Sequence, residues 1–192
     1  MLAALAALTL AVAAHAAPAV PAFEQSLLQI RSTVLAASAR MITQEQLKKV
    51  DGNVALTDNQ AAQLRSRLAS LRAQARTQPS DPSIGGQLYA LTSDLNVYAQ
   101  NCEVVRKQAL DLAATTTPDP ALVALAKKLY DHSRYLDSDA GYLALDGRTA
   151  YSELGAEGFG SQGYQIMTLA DKGASFTPDT RVAAKSVLDK IQ

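Results

Sequence analysis

His132 is the residue around which a catalytic or metal site would have to form. The chain has 192 residues and only two histidines, and the other, His15, lies in an apolar N-terminal stretch that we expect to be removed. The residues one helical turn away from His132 are a lysine, a tyrosine and two leucines, none of which is a usual zinc ligand. No nucleophile-elbow sequence accompanies it for a serine–histidine relay. The sequence therefore predicts no catalytic residue and no metal, and it favours His132 as a helix-flank residue.

Tyrosines form the second group of candidate binding residues. The chain has seven tyrosines and no tryptophan, and all seven lie between residues 89 and 164. A tyrosine has an apolar ring and a polar hydroxyl, so such a group can line an inter-helix pocket or a partner surface, or else end a helical core. We expect a protein partner or a small amphipathic ligand, bound by a set that includes two tyrosines one heptad apart. The set is Tyr98, Tyr130, His132, Tyr135 and Tyr142.

A glycine-rich stretch carries two apparent motifs. Residues 158–163 match G-x-G-x-x-G, but that fingerprint needs a preceding strand, and residues 151–155 indicate the end of a helix. The amides of Gly160 and Gly163, where the next helix opens, could instead bind an anion. Residues 137–141 begin like a calcium loop that then lacks its glycine and its final glutamate. We therefore predict no cofactor.

Cys102 is the sole cysteine, so no disulfide can form within the chain. It lies between Tyr98 and Val105 in an apolar stripe, which predicts a small core residue. Arg106 follows four residues later, which leaves a reactive thiol as the alternative.

The elements that would position these residues are amphipathic helices. Apolar residues recur at alternating four- and three-residue spacing, which predicts four helices. The expected ends are the turn residues 51–53, the prolines at 79 and 82, and the Thr-Thr-Thr-Pro of 115–118. The predicted fold class is all-α: an up-down bundle of about four long helices, a Gly-rich irregular region at 141–176, and a short C-terminal helix.

The second of these helices begins at a capping box. Thr57 stands at the cap and Gln60 follows three residues later. Leu56-Thr57-Asp58-Asn59-Gln60 also resembles the Leu-Thr-x-x-Gln motif of the Spy/CpxP family of periplasmic stress proteins. Ile42-Thr43-Gln44-Glu45-Gln46 is a looser copy of this motif, so the resemblance covers some twenty residues. It implies an ATP-independent chaperone or an envelope-stress accessory protein.

Charge is balanced over the chain but not along it. The formal net charge is zero, which excludes nucleic acid as an expected partner. Residues 23–78 carry eight Lys/Arg against four Asp/Glu, whereas residues 119–179 carry five against nine. These two parts could attract each other, within the fold or across a homodimer, or they could be separate solvated faces.

The first 22 residues are expected to be a signal peptide, cleaved after Ala16 or Ala22. No Lys or Arg precedes Arg31, so an alanine-rich first helix of the bundle is the alternative. We expect residues 23–192 to be a single domain with no membrane span, periplasmic or secreted. The expected function is that of an exported, non-enzymatic helical-bundle binding protein of the bacterial envelope. The alternatives are the chaperone named above and an enzyme with a carboxylate and tyrosine site in residues 131–164.

Overall fold

The structure, a computed structural model, describes residues 22–192, and for residues 22–28 and 32–42 it describes the backbone alone. The predicted signal peptide therefore lies almost wholly outside the described residues. The described chain is helical and has no strand, which confirms the all-α bundle. No helix in this part of the chain is long and apolar enough to cross a membrane. The helices are α1 (Ala22–Thr77), α2 (Ser83–Thr115), α3 (Val123–Ala156), α4 (Gly160–Ala174) and α5 (Thr177–Ile191).

The chain divides into two compact units at residues 41 and 42. Residues 22–41 are the described part of the first unit, where the Ile30 side chain is exposed. The second unit contains the rest of α1 together with α2 to α5, and the following description concerns this unit.

The predicted break at residues 51–53 is wrong, because α1 runs through it without interruption. The apolar spacing continues across this point, and Val50, Val54 and Ala61 are all buried. Packing of a continuous stripe outweighs the weak preference of Asp, Gly and Asn for turns. The Thr57 hydroxyl donates a hydrogen bond to the Asn53 carbonyl oxygen at 2.8 Å, as a helix-interior threonine does, so the capping box is not formed.

The predicted irregular region at 141–176 is also helical, apart from short turns. Two of its glycines lie where α3 and α4 approach most closely. A Cβ added to Gly163 would lie 3.1 Å from the Tyr151 Cα, and one added to Gly147 would lie 3.3 Å from the Met167 Cα. Only Gly158, with a φ of 88°, needs the left-handed backbone that ends α3. Gly147 and Gly163 therefore allow close helix packing instead of loosening the chain.

The bundle has four positions, and α4 and α5 together occupy the fourth. Both pack against α2 and α3, whereas they barely contact each other. The buried apolar side chains form two clusters along the bundle. One contains Leu64, Leu91 and Ile166, and the other contains Leu47, Leu129 and Val187. The two clusters meet at the height where the fourth position changes from α4 to α5.

Candidate functional site

Polar side chains gather at the height where the two apolar clusters meet, and we call this set the polar layer. Thr177 Oγ1 donates to Asp137 Oδ1 at 2.8 Å, and Arg181 Nε contacts the other oxygen of the same carboxylate at 2.9 Å. Thr180 Oγ1 donates to the Phe176 carbonyl oxygen at 3.1 Å. The polar layer consists of Thr57, Asp58, Tyr98, Arg106, Asp137, Asp139, Thr177 and Thr180.

The polar layer contains the buried side-chain atoms that lack a hydrogen-bond partner among the described residues. They are Asp58 Oδ1, Tyr98 OH and Arg106 Nε. Such atoms are rare in folded proteins and each is unfavourable, so three in one layer mark it as the least satisfied part of the interior.

Charged side chains meet in pairs along the seam between α1 and α3, and one of these pairs belongs to the polar layer. The two helices are parallel, so residues one heptad apart on α1 meet residues one heptad apart on α3. His132 Nδ1 lies 2.7 Å from Asp51 Oδ1, Arg65 Nε lies 3.0 Å from Asp146 Oδ2, and Arg72 Nε lies 2.6 Å from Glu153 Oε2. The four rungs of this α1–α3 ladder are Asp51–His132, Asp58–Asp139, Arg65–Asp146 and Arg72–Glu153.

The Asp58–Asp139 rung differs from the others because both partners are acids. Burial of Asp58, the charge of Asp139 and a hydrogen bond between the two carboxyl groups raise the pKa of Asp58 to about 6. His132 opposes this shift, and Arg65 Nη1 lies 3.5 Å from Asp139 Oδ1. The rung can therefore hold one proton at a pH where an ordinary aspartate is ionised.

The Asp51–His132 rung places a nearly buried carboxylate against the only histidine among the described residues. The Asp51 side chain is 7% exposed, and its second oxygen lies 3.5 Å from Lys128 Nζ. His132 is thus a half-buried seam residue with a carboxylate partner. No group of three or more His, Cys, Asp or Glu side chains that could hold a metal occurs in the described part of the chain.

At the last rung, Glu153 accepts hydrogen bonds from both Arg72 and Arg76. The hydrogen bond with Arg72 lowers the pKa of Glu153 and raises that of Arg72. This rung and the Arg65–Asp146 rung pair basic residues of 23–78 with acidic residues of 119–179 within the fold.

The structure does not gather the five predicted ligand-binding residues into one pocket. Tyr98 is 1% exposed, and burial raises its pKa. Tyr135 and Tyr142 lie on the surface of α3, where the Arg65 guanidinium stacks 4.9 Å from the Tyr142 ring centre. Tyr130 packs on the apolar cluster near α5. A ligand-binding role for these residues stays a prediction.

Cys102 is fully buried, which confirms the predicted core position. Burial raises the pKa of its thiol to about 12, so the thiolate that a reactive cysteine needs is strongly disfavoured.

The two glycines of the predicted anion site differ in their surroundings. Gly160 begins α4 and lies beside a shallow cavity near Tyr151 and Tyr164. The Gly163 amide already donates to the Phe159 carbonyl oxygen at 2.9 Å. Anion binding stays a prediction, and Gly163 brings no free amide to it.

The opposite side of α1 forms an open groove with α2. Three adjacent cavities of about 250, 580 and 300 Å³ follow this seam. On its floor, Asn53 Nδ2 donates to Gln108 Oε1 and Asn101 Nδ2 donates to Gln60 Oε1, both at 2.9 Å. An ion pair between Arg67 and Asp94 closes one end of the floor. We call this feature the α1–α2 groove.

Two exposed rims border the α1–α2 groove, one on each helix, with residues at heptad spacing. The rims are largely uncharged: Leu56 is 65% exposed, and Val97 and Val104 are each 48% exposed. The α1 rim is Lys49, Leu56, Gln63 and Ser70, and the α2 rim is Ala90, Val97, Val104 and Asp111.

Sequence reasoning missed both seams, although a pattern for each was present. Charged residues recur every seven positions in residues 51–72 and again, with His132, in residues 132–153. Amides recur in the same way at 53 and 60 and at 101 and 108. Polar residues at heptad spacing beside an apolar stripe indicate the edges of a helix–helix seam.

Comparison of the chain with protein-family models, curated proteins and solved structures finds no match.

Proposed function

We propose that this chain is an exported, non-enzymatic interaction protein of the bacterial envelope that binds a polypeptide partner along the α1–α2 groove. The observation that supports this proposal is the groove itself, where Leu56, Val97 and Val104 are exposed above a floor of paired amides. Exposed apolar groups on the rims of one polar-floored groove are typical of a surface that a partner covers.

The dimensions of the groove favour a polypeptide over a small molecule. Its lining extends from Gln46 to Arg67 on α1, which is about 30 Å at 1.5 Å per residue. A helix of about 20 residues has this length. The cavities are open along the seam, whereas a small-molecule site encloses most of its ligand. The floor amides offer both donors and acceptors, which suit the polar groups of another chain.

The charged residues of the α1–α3 ladder favour an internal role over catalysis. Arg65 and Arg72 each contact a carboxylate across the seam, and Asp51 contacts His132. These side chains satisfy one another and set the register of two parallel helices. Export is part of the proposal and rests on the apolar residues 1–22.

The proposal is tested by photo-crosslinking in cells that express the full chain. A photoreactive amino acid replaces Gln63 on the α1 rim, and Ser138, which is exposed on α3, is the matched control. We expect a discrete polypeptide adduct for the Gln63 variant and none for the Ser138 variant, in protein recovered without its leader. Equal labelling of both variants, or of neither, would contradict the proposal.

The same experiment separates the proposal from the chaperone alternative. Exposed Leu56, Val97 and Val104 could also hold unfolded chains. A chaperone would give a smear of many adducts at Gln63, whereas a specific interaction protein gives one band.

A further inference from the structure

We infer that the polypeptide bound in the α1–α2 groove is a second copy of this chain, so that the protein is a two-fold symmetric dimer. The inference rests on the proposed function of the groove and specifies its partner. The two-fold axis lies parallel to the groove, and α1 of each copy packs on α2 of its partner. Three features of the groove support this geometry: its rims, its charges and its size.

The rims are complementary at two facing positions, one charged and one apolar, and the other two pairs combine uncharged side chains. Because α1 and α2 are antiparallel, the two rims run in opposite directions along the same groove. A two-fold axis along the groove places each α1 rim residue over the α2 rim residue of the partner at the same height. Leu56 then meets the partner's Val104, and a charged residue meets one of opposite sign. The facing pairs are Lys49 with Asp111, Leu56 with Val104, Gln63 with Val97, and Ser70 with Ala90.

The charges at the two ends of the groove select this axis over the alternative. Lys49 and Asp111 lie at one end, and Arg67 and Asp94 lie at the other. An axis along the groove places Lys49 over the partner's Asp111 and Arg67 over the partner's Asp94. An axis across the groove would instead place Lys49 over the partner's Arg67. Like charges facing each other in an interface are strongly unfavourable, so the first arrangement is the stable one.

The floor and the area of the groove also fit a second copy. Each side-chain amide on the groove floor still has donors or acceptors left after its hydrogen bond within the chain. Because one amide can pair with another, the floor of one copy is complementary to the floor of a second copy. A face about 30 Å long and two helix diameters of about 10 Å wide covers roughly 600 Å² per copy. The total of about 1,200 Å² is at the lower limit for a specific interface, so we expect a reversible dimer.

The first test is the oligomeric state of the mature chain, measured by sedimentation velocity over a range of concentrations. We expect a monomer–dimer equilibrium. Leu56→Glu should raise the dissociation constant about 30-fold or more, because the symmetric interface buries the new charge twice. The control is Leu145→Glu, the same change at a leucine 58% exposed on α3, which should leave the equilibrium unchanged. Both side chains are exposed, so neither change should prevent folding.

The second test is a charge reversal that reports the direction of the axis. Lys49→Asp should weaken the dimer about tenfold, because it places two acids opposite each other at two symmetric positions. Adding Asp111→Lys to the same chain should restore the dimer. If Lys49→Asp instead tightens the dimer, Lys49 faces the partner's Arg67 and the proposed axis is wrong.

These outcomes distinguish the inference from the proposed function. A wild-type chain that remains monomeric at all concentrations overturns the dimer, as does a dimer that is insensitive to Leu56→Glu. If the Gln63 crosslink then joins a different protein, the groove remains the interaction site and only the identity of its partner was wrong. A crosslink with twice the mass of the chain supports both.

Discussion

The two sides of α1 form two different seams, although their residues are only two positions apart in the heptad. On one side, Asn53 and Gln60 pair with amides of α2 and leave an open groove. On the other, Arg65 and Arg72 pair with carboxylates of α3 and close the seam. One helix thus presents a largely uncharged face, with charged side chains only at its two ends, to the outside and a charged face to its own bundle.

The two seams show that ion pairs and uncharged amides have different uses between helices. Ion pairs at the edge of a core add little stability, but they fix the register and direction of neighbouring helices. Uncharged amides in the middle of the groove form a surface that another chain can cover without removing the water from full charges there, whereas the charged side chains lie at the two ends. The Asp58–Asp139 rung is the exception on the charged side, since it brings two acids together where the interior is least satisfied.

The largest effect should come from removing a ladder partner. His132→Leu leaves the nearly buried Asp51 carboxylate with Lys128 alone, at 3.5 Å. We expect the free energy of unfolding to fall by about 2 kcal/mol, because an uncompensated buried charge is strongly unfavourable. Chemical denaturation at neutral pH measures this. Adding Asp51→Asn should recover at least half of the loss.

The matched change on the open side should have a smaller effect. Gln60→Ala removes the acceptor of a half-buried hydrogen bond from Asn101. Water can replace it in the open groove, so we expect a loss of about 0.5 kcal/mol. Equal losses for Gln60→Ala and His132→Leu would remove the distinction between the two seams.

The acid rung should make stability depend on pH. Between its ordinary value of 3.8 and its folded value of about 6, Asp58 holds more proton in the folded chain than in the unfolded chain. The free energy of unfolding therefore falls as the pH rises through this window. Asp58→Asn should raise it by about 1–2 kcal/mol above about pH 7, after discounting the shift for partial exposure, and leave it unchanged near pH 4. Thermal unfolding at both pH values measures this.

The control for the Asp58–Asp139 rung is an Asp→Asn substitution in the next rung, Arg65–Asp146. Asp146 faces Arg65 at 3.0 Å, so Asp146→Asn removes an attraction. It should lower the stability at neutral pH, opposite in sign to Asp58→Asn. If both changes act in the same direction, the raised pKa of Asp58 is not what distinguishes the rung.

Sequence patterns predicted most of the fold and failed where local preferences opposed packing. The apolar spacing predicted α2 and the core position of Cys102, both of which the structure confirms. The turn residues at 51–53 suggested a break that does not occur, and the glycines of 141–176 suggested an irregular region where the structure has helices separated only by short turns. In both places side-chain or backbone packing against a neighbouring helix decides the structure, and one sequence does not reveal which neighbour that is.

The site was harder to predict than the fold for the same reason. His132 was identified, but its partner Asp51 lies 81 residues earlier, and the contact depends on α1 and α3 being adjacent and parallel. The opposite charges of residues 23–78 and 119–179 indicated attraction, without stating which residues would meet. Gly160 and Gly163 looked alike in sequence, yet packing separates their roles.

Methyl NMR of the mature chain during dilution measures directly whether a second copy of the chain covers the α1–α2 groove. We expect the methyl signals of Leu56, Val97 and Val104 to shift with concentration, because a second copy covers them. The signals of Leu145 on α3 should stay in place. Concentration-dependent shifts at Leu145 with none at Leu56, or no shifts at either position, would show that the chain does not self-associate through the α1–α2 groove.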